Sequence, residues 1–219
     1  MTGSGTLIQE LKKTVATLRG PNGCPWDQEQ THESLADCLI EECAELLDTI
    51  DRNDMTHMRE ELGDVLLQVV MHAQLAQEKC IFDLDAIIQE VNEKLIRRHP
   101  HVFGPKIVSN AAEALHRWDE IKALEKGGKV DYRDKLSSLP RQLPALLYAR
   151  DVCKLIKKGG LENSGLVETE EVTKFSGDID EENAGRLLFQ LVEVCHDAKI
   201  DPESALRRYT SELVKRTNT

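Results

Sequence analysis

Two pairs of acidic residues in this chain have the spacing of metal ligands. Glu42 and Glu45 are three positions apart, and so are Glu61 and Asp64. Residues three apart on an α-helix share a face, so two packed helices can bring all four carboxylates around one cation. Carboxylate oxygens are ligands that suit Mg²⁺. The spacing alone is weak evidence, because the 39 Asp and Glu residues of the chain would produce about seven such pairs by chance.

Helical wheels distinguish these two pairs from ordinary surface charge. In the segment 35–50 the apolar residues form one broad stripe, with Glu42 at its border, Glu45 beside it and Glu41 further toward solvent. The segment 55–79 is apolar over most of its circumference, which predicts burial on nearly every side. Its narrow polar stripe consists of Glu61, Asp64, Gln68 and His72. Uncompensated carboxylates there would cost several kcal/mol, so the pattern predicts a cation or a basic partner, in a cleft or at a subunit interface.

The composition argues against some classes of function. Hydrophobic residues make up 40% and charged residues 31% of the 219 residues, as in soluble globular proteins. The net charge of −11 argues against nucleic acid or a membrane surface as the main partner, since both need a basic footprint. The six cysteines form no CxxC pair and are expected to be reduced. With no apolar leader and no long apolar run, a cytoplasmic location is expected.

Helical periodicity dominates the chain. Apolar residues recur at helical spacing in five segments, which are 6–19, 35–50, 55–79, 85–98 and 109–126. No segment alternates with period two, so the predicted fold class is all-α. Short connections between long amphipathic helices indicate an antiparallel helical bundle.

The second half of the chain contains a faded copy of the first. Residues 182–190 repeat the apolar pattern and the glycine of residues 60–68. Asn183 and Arg186 stand where the first half has its second acidic pair, so this copy has lost the acidic metal motif. The expected domains are a catalytic helical domain over 1–126, a linker over 127–139 and a degenerate helical domain over 140–219.

Several ordered motifs run through the first half of the chain. They are Leu18-Arg19-Gly20, Cys24-Pro25-Trp26-Asp27, Gln30 to Leu35, the two acidic pairs, Lys94 to Gly104, and Trp118-Asp119-Glu120-Ile121-Lys122. This series resembles the MazG family of nucleoside triphosphate pyrophosphohydrolases, closely over 7–126 and weakly over 143–216. The resemblance implies two tandem all-α NTP pyrophosphatase domains in a homodimer or tetramer. It also implies Mg²⁺-dependent cleavage of an NTP or dNTP between the α and β phosphates, giving NMP and pyrophosphate, in clearance of the nucleotide pool.

The resemblance also assigns roles to residues. The implied catalytic residues and metal ligands are Glu42, Glu45, Glu61 and Asp64, holding Mg²⁺ or alternatively Mn²⁺. The general base stays open among these four, Glu41 and Glu60. The residues expected to bind phosphate or nucleotide are Lys94, Arg98, Trp118, Lys122 and Trp26. For the two tryptophans, packing within the protein is an equal alternative.

Two other interpretations use the same residues differently. Glu29 with His32 and Glu193 with His196 are ExxH pairs, which occur in di-iron carboxylate bundles. The wheel argues against this site, because Glu193 and His196 fall opposite the apolar stripe of their helix. The second alternative is a non-catalytic nucleotide-binding or regulatory helical subunit. Retention of all four acids argues against it for the first half, and metal-dependent pyrophosphate release distinguishes the two.

Overall fold

The computed structural model describes residues 4–125, 127–128, 131–140, 142–161 and 179–216. All regular secondary structure in these ranges is helical, which confirms the predicted all-α class. The helices are α1 (Ser4–Arg19), α2 (Pro25–Glu29), α3 (Ala36–Asp51), α4 (Met55–Glu78), α5 (Leu84–Arg98), α6 (Pro100–Phe103), α7 (Ala111–Glu125), α8 (Tyr132–Ser137), α9 (Ala145–Lys158), α10 (Glu181–Asp197) and α11 (Pro202–Arg216). Among these helices, none has the length and hydropathy needed to span a bilayer.

The first compact unit, Met1–Trp118, is organised around α4. Helix α4 packs against α3, α1 and α5. The buried core of this unit consists of Val15, Leu35, Val70, Met71, Ala73, Leu75 and Leu84. A tight turn joins α3 to α4, with Asn53 in the left-handed region (φ 53°) and the Asp54 carboxylate accepting a hydrogen bond from the His57 backbone N–H. The resulting helical hairpin places the acidic pair of α3 beside the acidic pair of α4.

One side of α4 remains exposed. The side chains of Leu62, Leu66 and Val69 are 52%, 41% and 38% exposed, and they lie along one stripe of the helix. The expectation that α4 is buried on nearly every side is therefore wrong for the isolated chain. The apolar circumference of α4 is wider than the surface that α1, α3 and α5 cover.

An arginine fixes the segment between α1 and α3. The Arg19 side chain is only 6% exposed and donates two hydrogen bonds of 2.8 Å to the Glu78 carboxylate at the end of α4. It also donates to the backbone carbonyls of Asp27 and Gln30. The segment contains the short helix α2, with Pro25 in its first turn, and Arg19 holds it against the end of α4.

The second compact unit, Asp119–Thr219, has a core of its own. This core consists of Leu136, Tyr148, Val152, Ile156 and Val214, from α8, α9 and α11. The Glu203 carboxylate accepts a hydrogen bond of 2.7 Å from the Ala145 backbone N–H and so joins α11 to the start of α9. Helix α10 packs against α11, and none of its residues is buried.

The division of the chain differs from the expected boundary at residue 126. It falls within α7, and the expected linker 127–139 contains α8, whose Leu136 is 1% exposed. Burial of this leucine attaches the segment to the second core. Residues 1–3, 126, 129–130, 141, 162–178 and 217–219 of the expected linker and domains lie outside the described residues. The assignment of a catalytic and a degenerate domain stays a prediction.

Candidate metal centre

Three of the four predicted carboxylates meet between α3 and α4. One carboxylate oxygen from each of Glu42, Glu45 and Glu61 lies within 4.8 Å of the other two. Glu42 and Glu61 are half-buried, whereas Glu45 is exposed. Within the described ranges, these residues form the single group of three or more acidic, histidine or cysteine side chains close enough to hold one metal ion.

Asp64 lies just outside this group. It is half-buried and follows Glu61 by three residues on α4. Its charge contributes to the raised pKa values of both Glu42 and Glu61, so its carboxylate acts on the same region. The structure thus gathers three predicted ligands and places the fourth beside them.

Repulsion between these carboxylates contributes to the raised pKa values of Glu42 and Glu61. Burial raises the pKa of Glu42, and the charges of Asp64 and Glu45 raise it further. Burial likewise raises the pKa of Glu61, with additional contributions from Glu45 and Asp64. The neighbouring charges that act most on both groups are carboxylates. An all-oxygen, negatively charged donor set fits a hard divalent cation such as Mg²⁺ or Mn²⁺.

A cavity of about 440 Å³ opens beside the carboxylate group. Its lining residues are Ala44, Glu45, Asp48, Thr49, Arg52, His57 and Glu61. Arg52 contacts the Asp48 carboxylate at 2.7 Å. The His57 ring nitrogen Nδ1 contacts the Asp54 carboxylate at 2.6 Å, and this hydrogen bond raises the pKa of His57. Arg52, which is cationic, and His57, whose pKa is raised, therefore lie on the wall of a cavity that also contains two candidate ligands.

Sequence reasoning missed Arg52 and His57, although their spacing contained a signal. Arg52 follows Glu45 by seven residues, and His57 precedes Glu61 by four. Both intervals place residues on one face of a helix. Basic residues at these offsets from the acidic pairs are therefore a feature that the sequence could have identified.

The predicted phosphate-binding residues lie at the end of α5. Lys94 and Arg98 are half-buried, whereas Arg97 is exposed. The Arg98 guanidinium lies over the Trp118 ring, 5.4 Å from its centroid. The His99 ring meets the Trp118 ring edge-on, with centroids 4.8 Å apart. Trp118 therefore packs in a cluster with a predicted phosphate ligand.

The remaining two predicted contacts lie elsewhere. Trp26 is on α2 and is 56% exposed, so its ring is at the surface rather than in a core. Lys122 belongs to the second unit, where it lines a pocket with Lys154 and Lys158. Neither residue is part of the carboxylate group, and their roles at a nucleotide stay predictions.

The two histidines of the di-iron alternative lie in different surroundings: one contacts another histidine, and the other is exposed. The His32 ring nitrogen Nδ1 is 2.8 Å from Nδ1 of His72, and the His196 side chain is 89% exposed. The candidate metal group of the described residues contains carboxylates alone. These placements disfavour a di-iron site.

The faded repeat has a different interaction at the equivalent positions. On α10 the Arg186 guanidinium donates a hydrogen bond of 3.0 Å to the side-chain oxygen of Asn183. A guanidinium at this place repels a metal cation. The contact agrees with the predicted loss of the acidic motif in the second half.

Comparison with known proteins identifies the family. Residues 30–103 match the MazG nucleotide pyrophosphohydrolase domain. The chain is 43% identical over 225 residues to the nucleoside triphosphate pyrophosphohydrolase/pyrophosphatase MazG of Thermotoga maritima, covering 99% of this chain and 86% of that protein. It is 37% identical over 226 residues to the nucleoside triphosphate pyrophosphohydrolase of Escherichia coli (strain K12), covering 95% and 85%.

A solved structure of a MazG-related protein from Thermotoga maritima is 31% identical, covers 54% of this chain and 97% of that chain, and has a TM-score of 0.44. The two enzymes from Thermotoga maritima and Escherichia coli are matched over more than four fifths of their lengths. On that similarity, together with the matched domain, this chain belongs to the MazG family of nucleotide pyrophosphohydrolases.

Proposed function

We propose that this chain is a divalent-cation-dependent nucleoside triphosphate pyrophosphohydrolase. It cleaves an NTP or dNTP between the α and β phosphates, releases NMP and pyrophosphate, and serves in clearance of the cytoplasmic nucleotide pool. The observation that most supports the proposal is the convergence of Glu42, Glu45 and Glu61 within 4.8 Å. The names of the relatives, which are nucleoside triphosphate pyrophosphohydrolases, agree with it.

The cation would be held by the carboxylates of α3 and α4. Glu42, Glu45, Glu61 and Asp64 are the ligands in this proposal, and their oxygen-only chemistry favours Mg²⁺, with Mn²⁺ as the alternative. When bound, such a cation neutralises phosphate charge and makes water a better nucleophile. The raised pKa values of Glu42 and Glu61 support the proposal, because the group is strained by repulsion unless a cation is present.

The chain itself supplies the groups that bind and orient the triphosphate. Lys94 and Arg98 lie four residues apart on one face of α5 and would bind phosphate oxygens by charge-assisted hydrogen bonds. The Trp118 ring supports the Arg98 guanidinium from one side. Arg52 brings positive charge to the cavity beside the carboxylates, and His57, whose pKa is raised, lies in the same wall. Substrate phosphates would enter the site through this cavity.

Proton transfer and base recognition complete the proposal. Glu41, Glu60 or one of the four ligand carboxylates would accept the proton of the attacking water. The exposed ring of Trp26 offers a surface on which a base could stack. Lys122 is retained as a predicted nucleotide contact.

Assembly as a homodimer or tetramer is part of the proposal. Exposed apolar side chains follow one stripe on each of three helices of the first unit: Ile40 and Leu47 on α3, Leu62, Leu66 and Val69 on α4, and Ile88, Val91 and Leu95 on α5. Extended apolar surface of this kind marks interfaces between subunits. A second copy of the chain would bury these stripes.

Pyrophosphate release from canonical and modified NTPs tests the function. It should be measured with Mg²⁺ and with EDTA, for the wild type, Glu42→Gln and the matched control Glu182→Gln on α10. We expect release to need the cation, to fall at least about 100-fold in Glu42→Gln, and to be unchanged in Glu182→Gln. Saturable nucleotide binding without release would instead support the non-catalytic nucleotide-binding or regulatory subunit.

A further inference from the structure

The second unit contains a pocket whose wall is rich in lysine. Its volume is about 290 Å³, and α7, α8 and α9 contribute to its wall. Four lysines line it, together with Tyr132 and Ser138: Lys122 on α7, Lys135 on α8, and Lys154 and Lys158 on α9. In a chain with a net charge of −11, this local concentration of positive charge opposes the overall composition.

The two aspartates on the pocket wall already have basic partners. The Lys158 ammonium contacts the Asp119 carboxylate at 2.5 Å, and the Arg150 guanidinium contacts the Asp151 carboxylate at 3.2 Å. The lysines therefore outnumber the carboxylates that face the same space, and the wall carries a net positive charge.

The lowered pKa of Asp119 agrees with this excess of positive charge. Burial acts to raise the pKa of Asp119, yet its pKa is lowered overall. The opposing causes are the hydrogen bond from Lys158 and the charges of Lys158, Lys122 and Lys135. A carboxylate that stays more acidic despite burial lies in a positive potential, and a bound anion would experience the same potential.

Packing at the end of α9 holds the aromatic wall of the pocket. A Cβ atom at Gly159 would lie 2.8 Å from Cβ of Tyr132, so a glycine is required for Tyr132 to pack here. The Lys135 ammonium lies 5.0 Å from the centroid of the Tyr132 ring. The ring and one lysine are thus positioned by contacts within the unit rather than by chance exposure.

We propose that this lysine pocket of the second unit binds a compact phosphorylated anion, through a set of residues that includes none of the four candidate metal ligands. Lysine ammonium groups are point charges suited to phosphate oxygens. The volume lies near the lower end of small-molecule pockets, about 300–1,000 Å³, so the ligand is of the size of pyrophosphate or a nucleoside monophosphate. Both share the phosphate chemistry that the lysines recognise.

Binding is measured by titration calorimetry on the full chain in EDTA, so that no metal is present at the carboxylates. The probes are pyrophosphate and AMP, with sulfate as a simple divalent anion. The test variant is Lys154→Glu, and the matched control is Lys157→Glu on the same helix, an exposed lysine that does not line the pocket. We expect saturable binding of at least one phosphorylated probe by the wild type, at least tenfold weaker in Lys154→Glu and unchanged in Lys157→Glu.

Two further variants keep the test independent of a folding defect. Asp119→Asn removes a carboxylate that competes for Lys158 and should tighten binding. Tyr132→Leu should weaken AMP more than pyrophosphate if a nucleoside is recognised, and both equally if the phosphates alone are bound. The proposal is overturned if the wild type binds neither probe, if sulfate binds equally well, or if Lys154→Glu and Lys157→Glu weaken binding to the same extent.

Discussion

The Nδ1 atoms of His32 and His72 are 2.8 Å apart and face each other directly. The two rings are parallel within 2°, and their centroids are 5.1 Å apart, which is the nitrogen separation plus about one ring radius on each side. Only one of the two nitrogens can carry a hydrogen in this arrangement. His32 precedes α3 and His72 lies on α4, so this hydrogen bond links the segment before α3 to α4.

Acidification should weaken the fold through this pair. Burial lowers the pKa of His72, and the charge of His32 lowers it further. The folded chain therefore binds this proton less tightly than the unfolded chain, whose histidine pKa is about 6.5. The free energy of unfolding should fall as the pH drops through about 6.5 and level off below the lowered pKa of His72. Urea unfolding between about pH 8 and pH 5 measures this dependence.

The His72→Phe variant should lose this part of the pH dependence. His57 acts with the opposite sign, because Asp54 raises its pKa, but it is present in every variant and cancels in the comparison. His196→Gln is the matched control, since its side chain is 89% exposed. If the free energy of unfolding of His72→Phe depends on pH as it does in the wild type, the histidine pair is not the source of that dependence.

Metal binding should stabilise the chain, and removal of a ligand should abolish the effect. Without metal, Glu42→Gln relieves repulsion among the carboxylates and should raise Tm relative to the wild type. With Mg²⁺ at about a hundred times its dissociation constant, the wild type should gain about 2.7 kcal/mol. Glu42→Gln should gain much less. Differential scanning calorimetry in EDTA and in Mg²⁺ measures the Tm of both proteins with and without metal. A wild-type Tm that does not change with Mg²⁺ would contradict the proposed metal centre.

The buried Arg19 should contribute far more to stability than an exposed arginine. Arg19→Gln removes the ionic partner of Glu78, which keeps only the hydrogen bond from Gln74, and frees two backbone carbonyls, at a cost of about 2 kcal/mol. Arg52→Gln removes a pair whose side chains are 56% and 64% exposed, and should cost less than about 1 kcal/mol. Urea unfolding of both variants is the measurement. Equal costs would show that the burial of Arg19 adds nothing.

Charge on the exposed stripe of α4 should dissociate the assembly. Leu66→Lys places an ammonium group in the surface formed with Leu62 and Val69, and its desolvation opposes association. Light scattering coupled to gel filtration should give a dimer or larger species for the wild type and a monomer for the variant. Glu90→Lys, an exposed change of charge on α5, is the control. A monomeric wild type would contradict the proposed assembly as a homodimer or tetramer.

The long helices were predictable because their apolar residues recur at helical spacing over several turns. The helix predicted over 35–50 is Ala36–Asp51 in the structure, and the helix predicted over 55–79 is Met55–Glu78. The acidic pairs were predictable for the same reason, since residues three apart share a face whatever the rest of the fold does. Local spacing thus accounts for most of the first unit and for the approach of three candidate ligands.

Features that depend on the path of the chain were not predictable. Helices α2 and α6 are too short to show periodicity, and each has a proline in its first turn. The partners Arg19 and Glu78 are 59 residues apart in sequence, and no local pattern connects them. The helical wheel also did not predict that one side of α4 is exposed. A wheel shows which faces of a helix are apolar, but not how much of its surface the other helices cover.

The helical hairpin of α3 and α4 has a consequence for the order of folding. All four candidate ligands lie between Glu42 and Asp64, so the hairpin alone can gather them through contacts of short sequence separation. The contacts of Arg19 and His32 with α4 require its later part, at Glu78 and His72. During synthesis the four candidate ligands therefore leave the ribosome before His72 and Glu78, which anchor the hairpin. We expect a nascent chain to bind divalent metal before it reaches its full stability.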